Sequence, residues 1–154
     1  MLFVKKLDPR AILPTCAHLG EDLAYDLYAL SDILLWSSHI TRVRTGIAVE
    51  HRHVESHSEY GYNHTADGLL IRDRSSMAAK GIITSGGVVD AGYRGEIIVL
   101  LTQIHGPVYR VKAGDKIAQM IPIPVLTGEG VLEIEAFTEE ITMRGTNGFG
   151  STGR

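Results

Sequence analysis

Gly87-Val88-Val89-Asp90-Ala91-Gly92-Tyr93-Arg94-Gly95-Glu96-Ile97-Ile98 is the stretch on which the fold turns. Two β-branched residues lead into Asp90, Gly92 and Gly95 punctuate the residues after it, and an apolar run continues to Leu101. The pattern predicts strand, turn, strand. β-Branched residues suit a pleated surface, and glycine serves where the backbone needs positive φ or a close approach. Such a hairpin carries an acid, Asp90, and an aromatic, Tyr93, at its mouth. An ordinary hairpin with a solvated aspartate would read the same way. Four other glycine- and charge-marked stretches in the chain lift this one above that reading.

Working toward the N-terminus, Arg74-Ser75-Ser76-Met77-Ala78-Ala79-Lys80-Gly81 is the best helix signal. A serine N-cap precedes good helix formers, and Gly81 stands where a C′ glycine belongs. The two hydroxyls and Arg74 suit a phosphate, although a plain capped helix explains them equally. Leu69-Leu70-Ile71 reads as a strand, and Glu50–His64 before it holds four of the seven histidines. There His51, His53, Glu55, His57 and Glu59 alternate, so a continued strand would put them on one face. That face is either solvated or able to chelate a transition metal. Arg42 to Val49 alternates with period 2, and Ile33–Trp36 is a short apolar strand. Asp22–Tyr28 fits helix or strand, with Tyr25 and Tyr28 favouring strand; Asp26 sits in its middle and alone would pass as a surface acid. Leu2–Leu7 opens the chain as a strand.

Toward the C-terminus, Val108–Val111 is a short strand and Lys112–Lys116 a turn. Ile117–Pro122 is apolar except for Gln119, which needs a partner where buried. Pro122 and Pro124 mark an edge strand or a strand end. Val131–Ile134 reads as a last strand. The tail from Arg144 to Arg154 has four glycines around Phe149 and cannot form a core element. A free tail is one reading. A lid is the other: Arg144 to pair phosphate oxygens, Phe149 to stack on a ring, Gly150 and Ser151 to wrap an anion. The division is therefore a domain over 1–143 and a Gly-rich segment over 144–154. About ten short strands, one tiny helix and dense turns predict an all-β, jelly-roll-like barrel.

A net charge of −3 argues against a general nucleic-acid or membrane binder, whose surface needs cationic excess. Cys16 is the only cysteine, which precludes an intrachain disulfide and fits a reducing, cytoplasmic setting. No apolar run approaches the ~20 residues of a membrane span, and Lys5, Lys6, Asp8 and Arg10 interrupt any leader.

Five stretches taken in order resemble the trimeric deoxyuridine triphosphatase (dUTPase) family, from about residue 22 to 154. They are Tyr25-Asp26-Leu27-Tyr28, Arg74-Ser75-Ser76, Gly87 to Gly95, Gly114-Asp115-Lys116-Ile117-Ala118-Gln119, and Arg144 to Gly153. Ala24, Asp73 and Asn147 stand where the family usually has Gly, Pro and Gly, and Gln103 where it often has Asn beside the base.

The resemblance implies a homotrimer with shared sites that hydrolyses dUTP to dUMP and pyrophosphate, limiting uracil in DNA and supplying dUMP. It implies that Asp90 is the general base for a water attacking the α-phosphorus. Arg74, Ser75, Ser76, Gln119 and Arg144 would meet the phosphates with Mg²⁺, and Asp26 would be an outer-shell acid. Gly87 and Val89 would offer backbone groups to uracil, and Tyr93 would pack under the deoxyribose. Phe149, Gly150 and Ser151 would close over the substrate. A dCTP deaminase of the same fold is the nearest rival, with Glu96 as its available acid. A non-catalytic nucleotide- or partner-binding trimer is the other.

Overall fold

The computed structural model describes residues 1–51, 67–125 and 131–135. Among the described residues are eleven strands and one helix: β1 Leu2–Lys6, β2 Tyr25–Tyr28, β3 Ile33–Leu35, β4 Ile40–Arg44, β5 Ile47–His51, β6 Asp67–Arg72, α1 Ser75–Ala78, β7 Ile82–Ser85, β8 Val88–Val89, β9 Ile98–Gln103, β10 Tyr109–Val111 and β11 Lys116–Pro124. The strands pair antiparallel in four ladders: β2-β11-β6-β8, β4-β9-β7, β1-β5 and β3-β10. Most partners are far apart in sequence, the mark of the expected all-β, jelly-roll-like barrel. Alternate residues of β9 turn inward: Val99 and Leu101 are buried while Ile98 and Leu100 are partly exposed. Leu27, Leu35, Ile47, Ile82, Ile97, Leu101, Ile117 and Met120 complete the core, each fully buried. Fully burying a side chain of this size is worth about 1.5–3 kcal/mol, so these positions carry the fold.

Several expectations change. The opening stretch is no hairpin. Val88–Val89 pairs with β6, while both edges of β9 are taken by β4 and β7. Residues 90–97 therefore cross between two sheets. The period-2 run from Arg42 to Val49 is two strands, not one. Gly46 breaks it with φ +72, and a Cβ there would stand 3.0 Å from both Ala11 Cβ and Leu30 Cδ1. Val131–Ile134 forms no strand and lies exposed. Strand propensity needs a partner edge, and none of the described strands supplies one.

At α1 the N-cap is Arg74, with extended backbone and no side-chain capping bond, rather than a serine. Gly81 closes the turn as expected, at φ +72 with its N–H on the Ala78 carbonyl at 2.9 Å. The prolines of β11 are explained by its neighbours. Lys116 and Ala118 pair with β2, Gln119 and Met120 with both β2 and β6, and Pro122 and Pro124 with β6 alone. His51, from the His-rich segment, bonds through Nδ1 to the Asp67 carboxylate across the ends of β5 and β6. His53, Glu55, His57 and Glu59 lie outside the described residues, as do Arg144, Asn147, Phe149, Gly150 and Ser151.

Candidate active site

The β2-β11-β6 ladder puts Asp26, Gln119 and Arg72 in one row across three strands. Just past β6 the chain turns into α1 and carries Arg74 over that row. Arg74 Nε donates to Asp26 Oδ1 at 2.7 Å, and Lys116 Nζ to Asp26 Oδ2 at 2.8 Å. One carboxylate thus holds two cations, and its hydrogen bond raises the Lys116 pKa above the ordinary lysine value. Ser75 and Gln119 join these three around a cleft of about 410 Å³, with His18 and Asp22 on its outer wall. Ser76 Oγ receives Arg74 Nη1 at 3.3 Å. Gln119 finds its partner in the Asp73 carbonyl, at 2.9 Å.

Asp73, which replaces a proline of the family pattern, has its own function in the frame. Its Oδ1 accepts from the N–H and the hydroxyl of Thr84, at 2.5 and 2.7 Å. These bonds fix the approach to α1 from the side chain, where proline would fix it through φ. Asp22 does the same for the loop before β2. Its Oδ2 accepts from the N–H groups of His18 and Ala17, at 2.9 and 3.1 Å. Those bonds, His18's first, lower its pKa.

Lys116 is the residue that sequence reasoning passed over. On a regular strand, residues three apart face opposite sides. β11 has a register shift between Lys116 and Ala118, so Ile117 and Ala118 are both buried and Lys116 shares the cleft with Gln119. A signal was present: two consecutive core-type residues between two polar ones.

The Asp90 loop is built differently. A Cβ on Gly87 would overlap the Ile71 carbonyl oxygen, and the Gly87 carbonyl accepts from Ile71 N–H at 2.7 Å. Glycine is required by that approach. Val89 pairs with Leu69. Asp90 is exposed, and its carbonyl accepts Tyr93 N–H at 3.0 Å to close a turn. Tyr93 is half exposed and lies over Gly95, its hydroxyl on the Glu96 carbonyl at 3.1 Å. Glu96 accepts from Arg44 Nε at 3.1 and 3.0 Å and from Gly46 N–H at 2.8 Å. With both oxygens committed to Arg44, it is poorly placed for the deaminase chemistry of the rival reading. Gln103 is buried at the far end of β9, its amide nitrogen on the Pro107 carbonyl at 2.5 Å.

The structure therefore gathers Asp26, Arg74, Ser75 and Gln119 in one cleft and Gly87, Val89, Asp90 and Tyr93 in another place. None of the second group lines the cleft. Antiparallel pairing of β8 with β6 carries the chain from Gly87 beside Ile71 down to Ala91 beside Gly68. Gly68 lies four residues along β6 from Arg72, or roughly 13 Å at strand rise.

The described residues thus pair an all-β fold bearing a cation-lined polar cleft with an acid and an aromatic on a separate strapped loop. The family model described as dUTPase matches residues 12–153. The deoxyuridine 5'-triphosphate nucleotidohydrolase of Picosynechococcus sp. is 38% identical over 151 residues, covering 96% of this chain and 95% of that protein. The solved dUTPase of Staphylococcus bacteriophage 80alpha with dUPNHPP superposes with a TM-score of 0.83 at 24% identity, covering 100% of this chain and 99% of that one. The dUTPase of phage phi11 of S. aureus, whose structure details coordination of a structural Mg(II) ion, aligns at 0.74 and 21% identity over 90% and 99% of the two chains. This chain belongs to the dUTPase family.

Proposed function

We propose that the chain hydrolyses dUTP to dUMP and pyrophosphate. The observation that carries this is the cleft in which Arg74, Lys116, Ser75 and Gln119 surround Asp26 in a chain of this family. Cations and hydroxyls fixed before substrate arrives are what charge developing on a phosphate chain needs. In this reading Asp90 holds a water and takes its proton. The water oxygen bonds to the α-phosphorus, and the bond from that phosphorus to the bridging oxygen breaks, releasing pyrophosphate. Tyr93 packs under the deoxyribose, and backbone groups of Gly87 and Val89 meet uracil. Ser76 supports Arg74 beside the phosphates.

Among the described residues no cluster of three or more His, Cys, Asp or Glu is arranged to hold a metal. Asp26 has both oxygens on cations. These residues fit a Mg²⁺ ion carried by the triphosphate, with Asp26 outside its inner shell, so the metal enters as part of the substrate. Arg144, Phe149, Gly150 and Ser151, in the segment 144–154 beyond the barrel of 1–143, complete the site as a lid. The single cysteine suits work in the reducing cytoplasm.

That Asp90 and Tyr93 lie away from the cleft of their own chain, toward Gly68, roughly 13 Å of strand from Arg72, supports sites shared between chains of a homotrimer. Complementation tests the sharing. Mix Asp90→Asn and Arg74→Met chains, each inactive alone, and co-refold them at equal amounts. If Asp90 and Arg74 of one site come from different chains, about one site in four regains both. Silence from verified mixed trimers means that one chain supplies both. The reaction itself is tested by pyrophosphate release from dUTP, dCTP, dTTP and UTP, with ammonia assayed for dCTP. Release from dUTP alone is expected; ammonia from dCTP, or no turnover of any nucleotide, overturns the proposal.

A further inference from the structure

Two ion pairs outside the cleft have no place in the chemistry above, and both end on the loop that carries Asp90 and Tyr93. Glu96 is the more buried partner of the first, its side chain 15% exposed against 57% for Arg44. The Arg44 guanidinium nitrogen Nε spans both its oxygens, and the N–H of Gly46 adds a third bond to Oε1 at 2.8 Å. Gly46 is itself immobile, fixed at positive φ and packed on Ala11 and Leu30. The next residue is tied as firmly: Ile97 N–H donates to the Ile47 carbonyl at 2.8 Å, and its carbonyl accepts the buried Thr45 hydroxyl at 2.5 Å. The second pair joins Arg94 Nη2 to Glu50 on β5 at 3.1 Å. The same guanidinium, through Nη1, caps the Ala91 and Tyr93 carbonyls at 2.7 and 2.9 Å.

We infer that Arg44 and Glu96, seconded by Arg94 and Glu50, are positioning residues that set the Tyr93 ring and thereby the choice between deoxyribose and ribose. The link is direct. Tyr93 has one hydrogen bond through its hydroxyl, and the acceptor is the carbonyl of Glu96. Where Glu96 is pinned, that carbonyl is pinned, and the hydroxyl end of the ring sits over Gly95, where no side chain stands. The contact at C2′ is steric, so a ring free to swing gives a ribose hydroxyl room. The pairs touch no substrate and act only through the loop. The inference rests on the proposed dUTP reading, in which Tyr93 lies under the sugar.

The test uses the full chain with Arg44→Met, Arg44→Lys, Glu96→Gln and Tyr93→Phe. Three quantities are read: kcat/KM on dUTP and on UTP, thermal midpoint, and amide hydrogen exchange across residues 91–97. Arg44→Met is expected to lower the dUTP/UTP ratio of kcat/KM about tenfold, the low end of steric discrimination. The change should come from better use of UTP, and exchange in the loop should quicken. Tyr93→Phe should lower the ratio likewise, and its combination with Arg44→Met should add little because both cut one link. Arg44→Lys, keeping the charge without the fork, should restore part of the ratio. A ratio within about twofold of wild type beside a lowered thermal midpoint makes the pair a structural brace and overturns the inference. A wild type without dUTP turnover sinks the functional reading instead. The exchange arm then still decides the clamp: unaltered exchange in Arg44→Met and Glu96→Gln refutes it, and quickened exchange upholds it.

Discussion

Replacing Gly95 with alanine isolates what the floor beneath Tyr93 contributes. Gly95 is not among the glycines held at positive φ, so its backbone accepts a side chain. The obstacle is the ring. An added Cβ would overlap Tyr93 Oη and Cζ and stand 3.0 Å from Cε2. Tyr93 is 48% exposed and can swing out. Moving it breaks the bond to the Glu96 carbonyl, worth about 1 kcal/mol, and strains χ angles by about 0.5–1.5 kcal/mol. Alanine repays about 0.4–1 kcal/mol by restricting the unfolded chain. The net loss is about 1 kcal/mol, a fall in Tm of about 2–4 °C for a domain of this size. Stability thus changes little while the ring is displaced, and the dUTP/UTP ratio of kcat/KM should drop about tenfold. In a Tyr93→Ala background the obstacle is gone, so Gly95→Ala should be neutral or slightly stabilising. Thermal melts and paired kinetics on the four variants of this cycle measure both effects. The reasoning fails if Gly95→Ala costs the same stability with and without the Tyr93 ring, or leaves selectivity intact.

Asp90→Asn should abolish turnover yet bind dUTP at least as tightly as wild type by calorimetry, because the amide cannot take the water's proton and a negative charge leaves the phosphates. Gly87→Ala should destabilise by about 1–3 kcal/mol in urea titrations, since its Cβ meets a backbone oxygen that cannot turn aside. Asp8 is held at about 2 by its hydrogen bonds from Arg10. A carboxyl lowered on folding contributes stability above its unfolded pKa and loses it as pH falls from about 4 to 2, so Arg10→Gln should soften the acid limb of the Tm profile there. The shift should be small, because Arg10 stands largely in water.

Much of the fold was legible because β9, and β6 from Leu69 to Arg72, alternate inward and outward residues over a packed core. The connectivity was harder to read. Val88-Val89 and Ile97–Leu101 look like two arms of a hairpin, but local pattern says only that each is a strand. Partner choice depends on which edges are open, and β4 and β7 occupy those of β9. Arg42–Val49 failed for the opposite reason. Its period runs unbroken through Gly46, and only the positive φ there ends one strand and begins the next. At the site, residues in compact motifs such as Asp26, Arg74 and Gln119 were found. Lys116 was hidden by a bulge, and the roles of Glu96, Arg44 and Asp73 by partners 52 and 11 residues away.

Charge balance at the cleft shows what else the site requires. Arg74 and Lys116 would repel each other at this separation, and Asp26 holds them together at the cost of one charge. With Asp22 also on the cleft wall, the two cations and two carboxylates cancel, and they face a triphosphate of about four negative charges. The chain as a whole carries −3, so its general field does not help. Ser75 can add a neutral hydrogen bond, and so can the Gln119 amide, which has given only one of its two N–H donors to the Asp73 carbonyl. On the proposed reading that deficit of about four charges is met in part by a divalent cation carried on the phosphates and by Arg144. On that reading the cleft of one chain is a preorganised fraction of a site, which would hold the phosphates only together with the metal and Arg144.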